Sequence, residues 1–162
     1  MSTTEFVKET GDYYFRLRQY GTAVHYYERI LDDWRVKTLT DEFTAAVWNN
    51  IGACYAGVFW FEKAINAYEM AYNFKKDLDT IRKIYILTLL NPELRMKGRY
   101  QALVTEERAA LWKQELEDRM EKEAASAAAE ESEELFRKDS IRRLEGAGKL
   151  LSSWKREYRK ML

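Results

Sequence analysis

The stretch Gly11-Asp12-Tyr13-Tyr14 decides the fold, because Gly52-Ala53-Cys54-Tyr55 repeats its pattern later in the chain. When the two glycines are aligned, further residues coincide at the same spacing. The coinciding pairs are Tyr14 and Tyr55, Tyr20 and Phe61, Ala23 and Ala64, and Tyr27 and Tyr68. A spacing that recurs over this length indicates an internal repeat, and internal repeats determine the architecture of a chain.

Each copy of the repeat is typical of two antiparallel helices joined by a short turn. Small residues at Gly11 and Ala23 let the two helices approach closely, and aromatic side chains fill the space beside them. Ser2-Thr3-Thr4-Glu5 is a capping-box sequence that predicts the start of the first helix, and Thr40 or Asp41 is predicted to start the third. A helix pair of this size cannot bury its apolar face alone, so we expect successive pairs to stack.

This pattern resembles the tetratricopeptide repeat family, in which tryptophan, leucine-glycine, tyrosine, alanine, aromatic and alanine recur at these spacings. Trp48 matches the family's tryptophan in the second copy, whereas Val7 stands at that position in the first. The resemblance covers residues 4–76 and implies an all-α array of helix pairs. The copies lie farther apart than is usual in the family, which predicts extra helical turns or a longer loop around residues 34–41.

The remaining chain predicts a third, degenerate pair and then a different kind of segment. Asn91-Pro92-Glu93 is typical of a helix start and predicts the second helix of a pair at residues 77–104. Gly98 would weaken that second helix. We therefore predict a repeat domain over residues 1–104 and a charged helical segment over residues 105–162.

The second segment is predicted to contain one long acidic helix and one basic amphipathic helix. The first runs from Thr105 to about Lys138, or about 50 Å. Asp139-Ser140 then restarts a helix that continues to Leu162. Acids dominate the first helix and bases the second, so a hairpin of the two would bring opposite charges together.

Composition narrows the class of function. Lys plus Arg equals Asp plus Glu, at 27 each, so we expect neither nucleic acid nor a membrane as a partner. One cysteine, Cys54, and one histidine, His25, provide no disulfide framework and no Cys/His metal cluster. We predict that the protein is not an enzyme and has no metal or cofactor, and that it is cytoplasmic, because its start is not a secretory signal.

The resemblance implies a groove lined by the first helix of each pair, where the protein would bind a peptide or helix of another protein. The predicted groove residues are Lys8, Asp12, Phe15, Arg16, Asn49, Asn50, Ala53 and Lys83. Some family members clamp a peptide carboxylate with lysine and asparagine side chains, and Lys8 and Asn50 match two of those positions. Asp12 stands at a third, where its charge would repel such a ligand. Alternatively, the chain's own C-terminal helix fills the groove.

A second predicted contact surface is the turn that holds Phe59 and Trp60, where large apolar residues are uncommon. Cover by the C-terminal helices is the alternative interpretation of this turn. The alternative function is a structural protein that forms homodimers through its long C-terminal helices. A third hypothesis is that the basic end, residues 141–162, binds nucleic acid or a membrane surface.

Overall fold

The computed structural model describes residues 2–135 and 155–161, and helices are the only regular secondary structure in these ranges. The predicted all-α class is confirmed. The elements are α1 (Thr3–Arg16), α2 (Tyr20–Asp32), a 3₁₀ helix (Trp34–Thr38), α3 (Asp41–Gly57), α4 (Phe61–Phe74), α5 (Leu78–Leu90), α6 (Gly98–Gln101), α7 (Glu106–Leu135) and α8 (residues 155–161). Contacts between residues divide the chain into Met1–Thr105 and Glu106–Leu162.

The helix starts follow from local hydrogen bonds that the sequence contains. The Ser2 hydroxyl accepts from the Glu5 backbone N–H at 3.2 Å, and the Ser2 N–H donates to the Glu5 carboxylate at 2.7 Å. This capping box lowers the pKa of Glu5. Thr40, one of two predicted start residues for α3, accepts from the Phe43 N–H at 3.1 Å. Both side chains satisfy backbone donors that the first turn leaves without a partner.

Helices α1 and α2 form one hairpin and α3 and α4 form another, with the same turn geometry. In the first turn the N–H of Gln19 donates to the Tyr14 carbonyl, and in the second the N–H of Trp60 donates to the Tyr55 carbonyl. These are Schellman motifs, which require a left-handed residue after the helix. Arg18, with φ of 59°, and Phe59, with φ of 65°, are those residues.

Each hairpin is closed by a glycine against a tyrosine of the opposite helix. A Cβ atom on Gly11 would lie 2.6 Å from Cε1 of Tyr27, and a Cβ atom on Gly52 would lie 2.6 Å from Cε1 of Tyr68. Both tyrosine side chains are fully buried. The glycines therefore allow a helix separation that any larger residue would prevent.

Stacking of the two hairpins forms the core. Helix α2 packs on α3, and α4 packs on α5. The buried cluster between the hairpins contains Ala23, Tyr27, Ile30, Val47, Ile51, Cys54 and Ala67. The extra residues between the two copies form the 3₁₀ helix Trp34–Thr38, so a longer connection accounts for most of the wide repeat spacing.

The predicted helix start at Asn91-Pro92-Glu93 is wrong. Asn91 is instead the C-cap of α5, and the Leu94 N–H donates to its carbonyl at 3.0 Å, forming a turn. Asparagine followed by proline suits the first two positions of a β-turn as well as a helix start. Only the four residues of α6 are helical before Thr105, so a full third pair does not form.

In the unit Glu106–Leu162, α7 and α8 exchange ion pairs. Arg119 lies 3.1 Å from Glu157, and Glu123 lies 3.6 Å from Arg156 and 3.8 Å from Lys160. The predicted attraction between an acidic and a basic helix is therefore present in these residues. The predicted restart at Asp139-Ser140 and most of the predicted terminal helix lie outside the described residues.

Candidate functional site

The Asp12 carboxylate joins three helices at the predicted groove. Its Oδ1 accepts from the Tyr27 hydroxyl at 2.6 Å and from Nδ2 of Asn50 at 3.0 Å. Its Oδ2 accepts from Nζ of Lys8 at 3.0 Å. Burial, reinforced by this carboxylate, raises the pKa of Tyr27. Helices α1, α2 and α3 are thus tied together by one charged acceptor.

Polar residues of α3 and α5 meet farther along the same helices. The Thr80 hydroxyl donates to Oδ1 of Asn49 at 3.3 Å. Lys83 lies 3.7 Å from Asp79, and its Nζ lies 5.8 Å from the ring centroid of Tyr68. Asn49 and Lys83 therefore both lie in contacts that join neighbouring helices.

The other predicted groove residues are placed differently. Ala53 is only 5% exposed, so its side chain is not open to a ligand, contrary to the prediction. Phe15 is half-buried and packs edge-on against Tyr20, with ring centroids 5.5 Å apart. Arg16 is exposed at the end of α1. Sequence spacing assigned these residues to a helix but could not show which neighbour would cover them.

The Asp12 contacts explain why a carboxylate clamp is a poor fit. The two side chains that match the clamp pattern, Lys8 and Asn50, already contact the chain's own carboxylate at 3.0 Å each. A second carboxylate placed there would compete for the same donors and meet a like charge. Lys8 and Asn50 therefore act as partners of Asp12 in this structure.

The turn between α3 and α4 presents an exposed tryptophan with contacts to two neighbouring side chains. Trp60 is 57% exposed, and its ring stacks on Tyr55 with centroids 6.1 Å apart at 18°. Nζ of Lys63 lies 4.6 Å from the Trp60 centroid and 5.5 Å from that of Tyr55. The adjacent Phe59 packs edge-on against Phe61 at 6.0 Å. Stacking and the cation restrict the indole while leaving much of it in solvent.

Clefts adjoin this tryptophan. A cleft of about 430 Å³ is lined by Trp60 together with Tyr20, Gly21, Val24, Glu28, Cys54, Tyr55 and Val58. A neighbouring cleft of about 670 Å³ runs between α2 and α4, with Trp48, Ile51 and Tyr55 of α3 in its lining. Tyr55 and Lys63 belong to this surface and were not predicted from the sequence. The i, i+3 spacing of Trp60 and Lys63 was the signal that could have identified the lysine.

The single cysteine and the single histidine lie on different helices, Cys54 on α3 and His25 on α2. Cys54 is fully buried, and burial raises the pKa of its thiol to about 12. His25 is exposed and lies beside Tyr26. Residues 2–135 and 155–161 contain no group of three metal-ligating side chains. No helix within the same ranges is long and apolar enough to cross a bilayer.

No protein-family model, curated protein or solved structure matches this chain.

Proposed function

We propose that this protein is an interaction module that binds a peptide or helix of another protein. The observation that supports this proposal is that the Trp60 ring is exposed to solvent while it contacts Tyr55 and Lys63. Tryptophan is enriched among the residues that contribute most to protein interfaces. An indole already held by Tyr55 and Lys63 loses little conformational entropy when a partner covers it.

The face of α1, α3 and α5 is the second surface in this proposal. Lys8, Asp12 and Asn50 are partly exposed and held in one hydrogen-bonded arrangement. Preorganised donors of this kind can bind the backbone carbonyls or polar side chains of a peptide without further ordering. The negative charge of Asp12 favours peptides that lack a carboxylate at that point.

Selection from a random-peptide library against the full chain tests this function. We expect peptides with an apolar anchor, and we expect Trp60→Ala to weaken their binding roughly tenfold or more. Lys8→Ala should weaken the binding of peptides that contact the face of α1, α3 and α5. Phe74→Ala, which alters a 38% exposed side chain away from both surfaces, is the matched control.

Two results would contradict the proposal. One is a library that yields no peptide whose binding depends on Trp60 or Lys8. The other is an equal loss of binding in the Phe74→Ala control, because that would indicate nonspecific adhesion to exposed apolar side chains.

A further inference from the structure

The outer face of α1 carries an apolar stripe that no part of the described chain covers. Phe6 is 63% exposed, Tyr13 52% and Leu17 50%. Thr10 completes the stripe, and its hydroxyl donates to the Phe6 carbonyl at 2.9 Å, which leaves its methyl group for packing. These four positions follow the spacing that places side chains on one side of a helix.

The second copy of the repeat shows how the equivalent face of α3 is covered. The residues of α3 that correspond to Phe6, Thr10 and Tyr13 are Val47, Ile51 and Cys54. They are 0%, 2% and 0% exposed. They are buried because α2 of the preceding hairpin packs on them through Ala23, Tyr27 and Ile30. The same position on α1 therefore lacks the helix that α3 has.

We propose that a second copy of this chain covers the α1 face, through an antiparallel two-fold pairing of the two α1 helices. In this register Phe6 faces Leu17 of the second copy, and Thr10 faces Tyr13 of the second copy. The stripe is therefore complementary to itself, as a two-fold interface requires.

The charges beside the stripe favour this occupant. Glu9 and Arg16 are both exposed, and they lie on the same flank of the stripe, Glu9 at the middle of α1 and Arg16 at its last residue. Neither forms an ion pair with another residue in the described part of the chain. Antiparallel pairing sets this flank of one α1 helix against the same flank of the other, which brings each Glu9 towards Arg16 of the second copy. Parallel pairing would instead set this flank against the flank of Val7 and Tyr14, so Glu9 and Arg16 would not meet.

Val7 and Tyr14 lie on the opposite flank and pack against the chain's own core cluster. Tyr14 also stacks on Tyr26 and contacts Tyr13 edge-on, with centroids 5.5 and 5.4 Å apart. One flank of α1 is thus anchored in its own hairpin and the stripe is held in a fixed orientation. This arrangement differs from a homodimer formed through the C-terminal helices, because it needs no residue of α7 or α8.

A charge-exchange experiment tests the proposal on the full chain. Wild-type protein should show a concentration-dependent dimer by light scattering at up to about 1 mM. Glu9→Lys places an ammonium group against Arg16 of the second copy, and Arg16→Glu places a carboxylate against Glu9 of the second copy. Each variant should raise the dimer Kd roughly tenfold or more, because like charges then meet. Mixed together, the two variants should form a 1:1 heterodimer, in which one contact pairs the introduced lysine with the introduced glutamate and the other keeps the native pair.

Two further variants make the outcome decisive. The double variant Glu9→Lys, Arg16→Glu should dimerise like wild type, which excludes a folding defect as the cause of dissociation. Leu111→Glu alters an apolar side chain of α7 that is 57% exposed and should leave the dimer intact.

The proposal is overturned by a wild-type chain that stays monomeric, or by single variants that dimerise as wild type does. Loss of the dimer only in Leu111→Glu would instead assign it to α7. Peptide binding that depends on Trp60 would be unaffected by any of these results, so this proposal and the proposed function can fail separately.

Discussion

The hydroxyl of Tyr27 donates a 2.6 Å hydrogen bond to the carboxylate of Asp12, and Asn50 shares the same oxygen. This contact joins the two helices of the first hairpin and extends to the second. A buried phenol without such an acceptor would lose its bonds to water and gain nothing in return. Asp12 is therefore a structural residue as well as a member of the candidate binding face.

Removal of the Asp12 carboxylate should lower the unfolding free energy more than removal of the Tyr27 hydroxyl. Asp12→Ala leaves the buried Tyr27 hydroxyl and Asn50 without their acceptor, and we expect a loss of about 2–3 kcal/mol in unfolding free energy. Tyr27→Phe leaves Asp12 with Asn50 and Lys8, and should cost about 1 kcal/mol. Urea unfolding measures both. Equal losses in the two variants would contradict this ranking.

Added side chains at the two closely packed glycines should destabilise the fold. Gly11→Ala and Gly52→Ala each introduce a Cβ atom 2.6 Å from a buried tyrosine ring, and we expect losses of about 1–3 kcal/mol. Gly21→Ala is the matched control, because a Cβ atom there meets nothing within 4 Å. It should stabilise α2 by up to about 1 kcal/mol. Thermal unfolding of the three variants distinguishes packing from helix propensity.

Glycine should be favoured at the left-handed position of the first turn. Arg18 has φ of 59°, a conformation that is costly for a residue with a Cβ atom. Arg18→Gly should raise the unfolding free energy by about 0.5–1 kcal/mol, whereas Arg18→Val should lower it, because a branched Cβ worsens the clash. Urea denaturation compares the pair. A more stable valine variant would show that backbone strain at this turn is negligible.

Deprotonation of Cys54 should couple to unfolding at high pH. The pKa of its thiol is raised in the folded chain from 9.0 to about 12, so above pH 9 the unfolded state releases a proton that the folded state keeps. Stability is then intact below about pH 9 and falls by up to about 1.4 kcal/mol per pH unit above it. The pKa of Tyr27 is raised as well, so Tyr27 contributes to the same loss of stability. The test is therefore the difference between wild type and Cys54→Ala in the slope of unfolding free energy against pH. Parallel curves for the two proteins would show that Cys54 does not contribute to the pH dependence.

Iodoacetamide should also alkylate the Cys54 thiol of the native protein far more slowly than that of the urea-unfolded protein.

Local signals predicted much of the repeat region. The glycine and aromatic spacing around Gly11 and Gly52 predicted two hairpins, and Ser2 and Thr40 predicted helix starts, because both depend on residues close in the chain. The prediction failed at Asn91-Pro92, since that dipeptide suits a turn and a helix start equally. The roles of Tyr55 and Lys63 around Trp60 depend on the geometry of one turn.

The sequence by itself determined that the protein is helical, where its first four helices lie and which small residues allow paired helices to approach closely. Those properties arise from periodicity and local hydrogen bonding. Only the tertiary structure decided which apolar helix faces stay exposed to solvent. Phe6 and Val47 hold the same repeat position, yet one is 63% exposed and the other fully buried. The difference arises because burial depends on which helix packs alongside, and α2 packs on α3 while no described helix covers that face of α1.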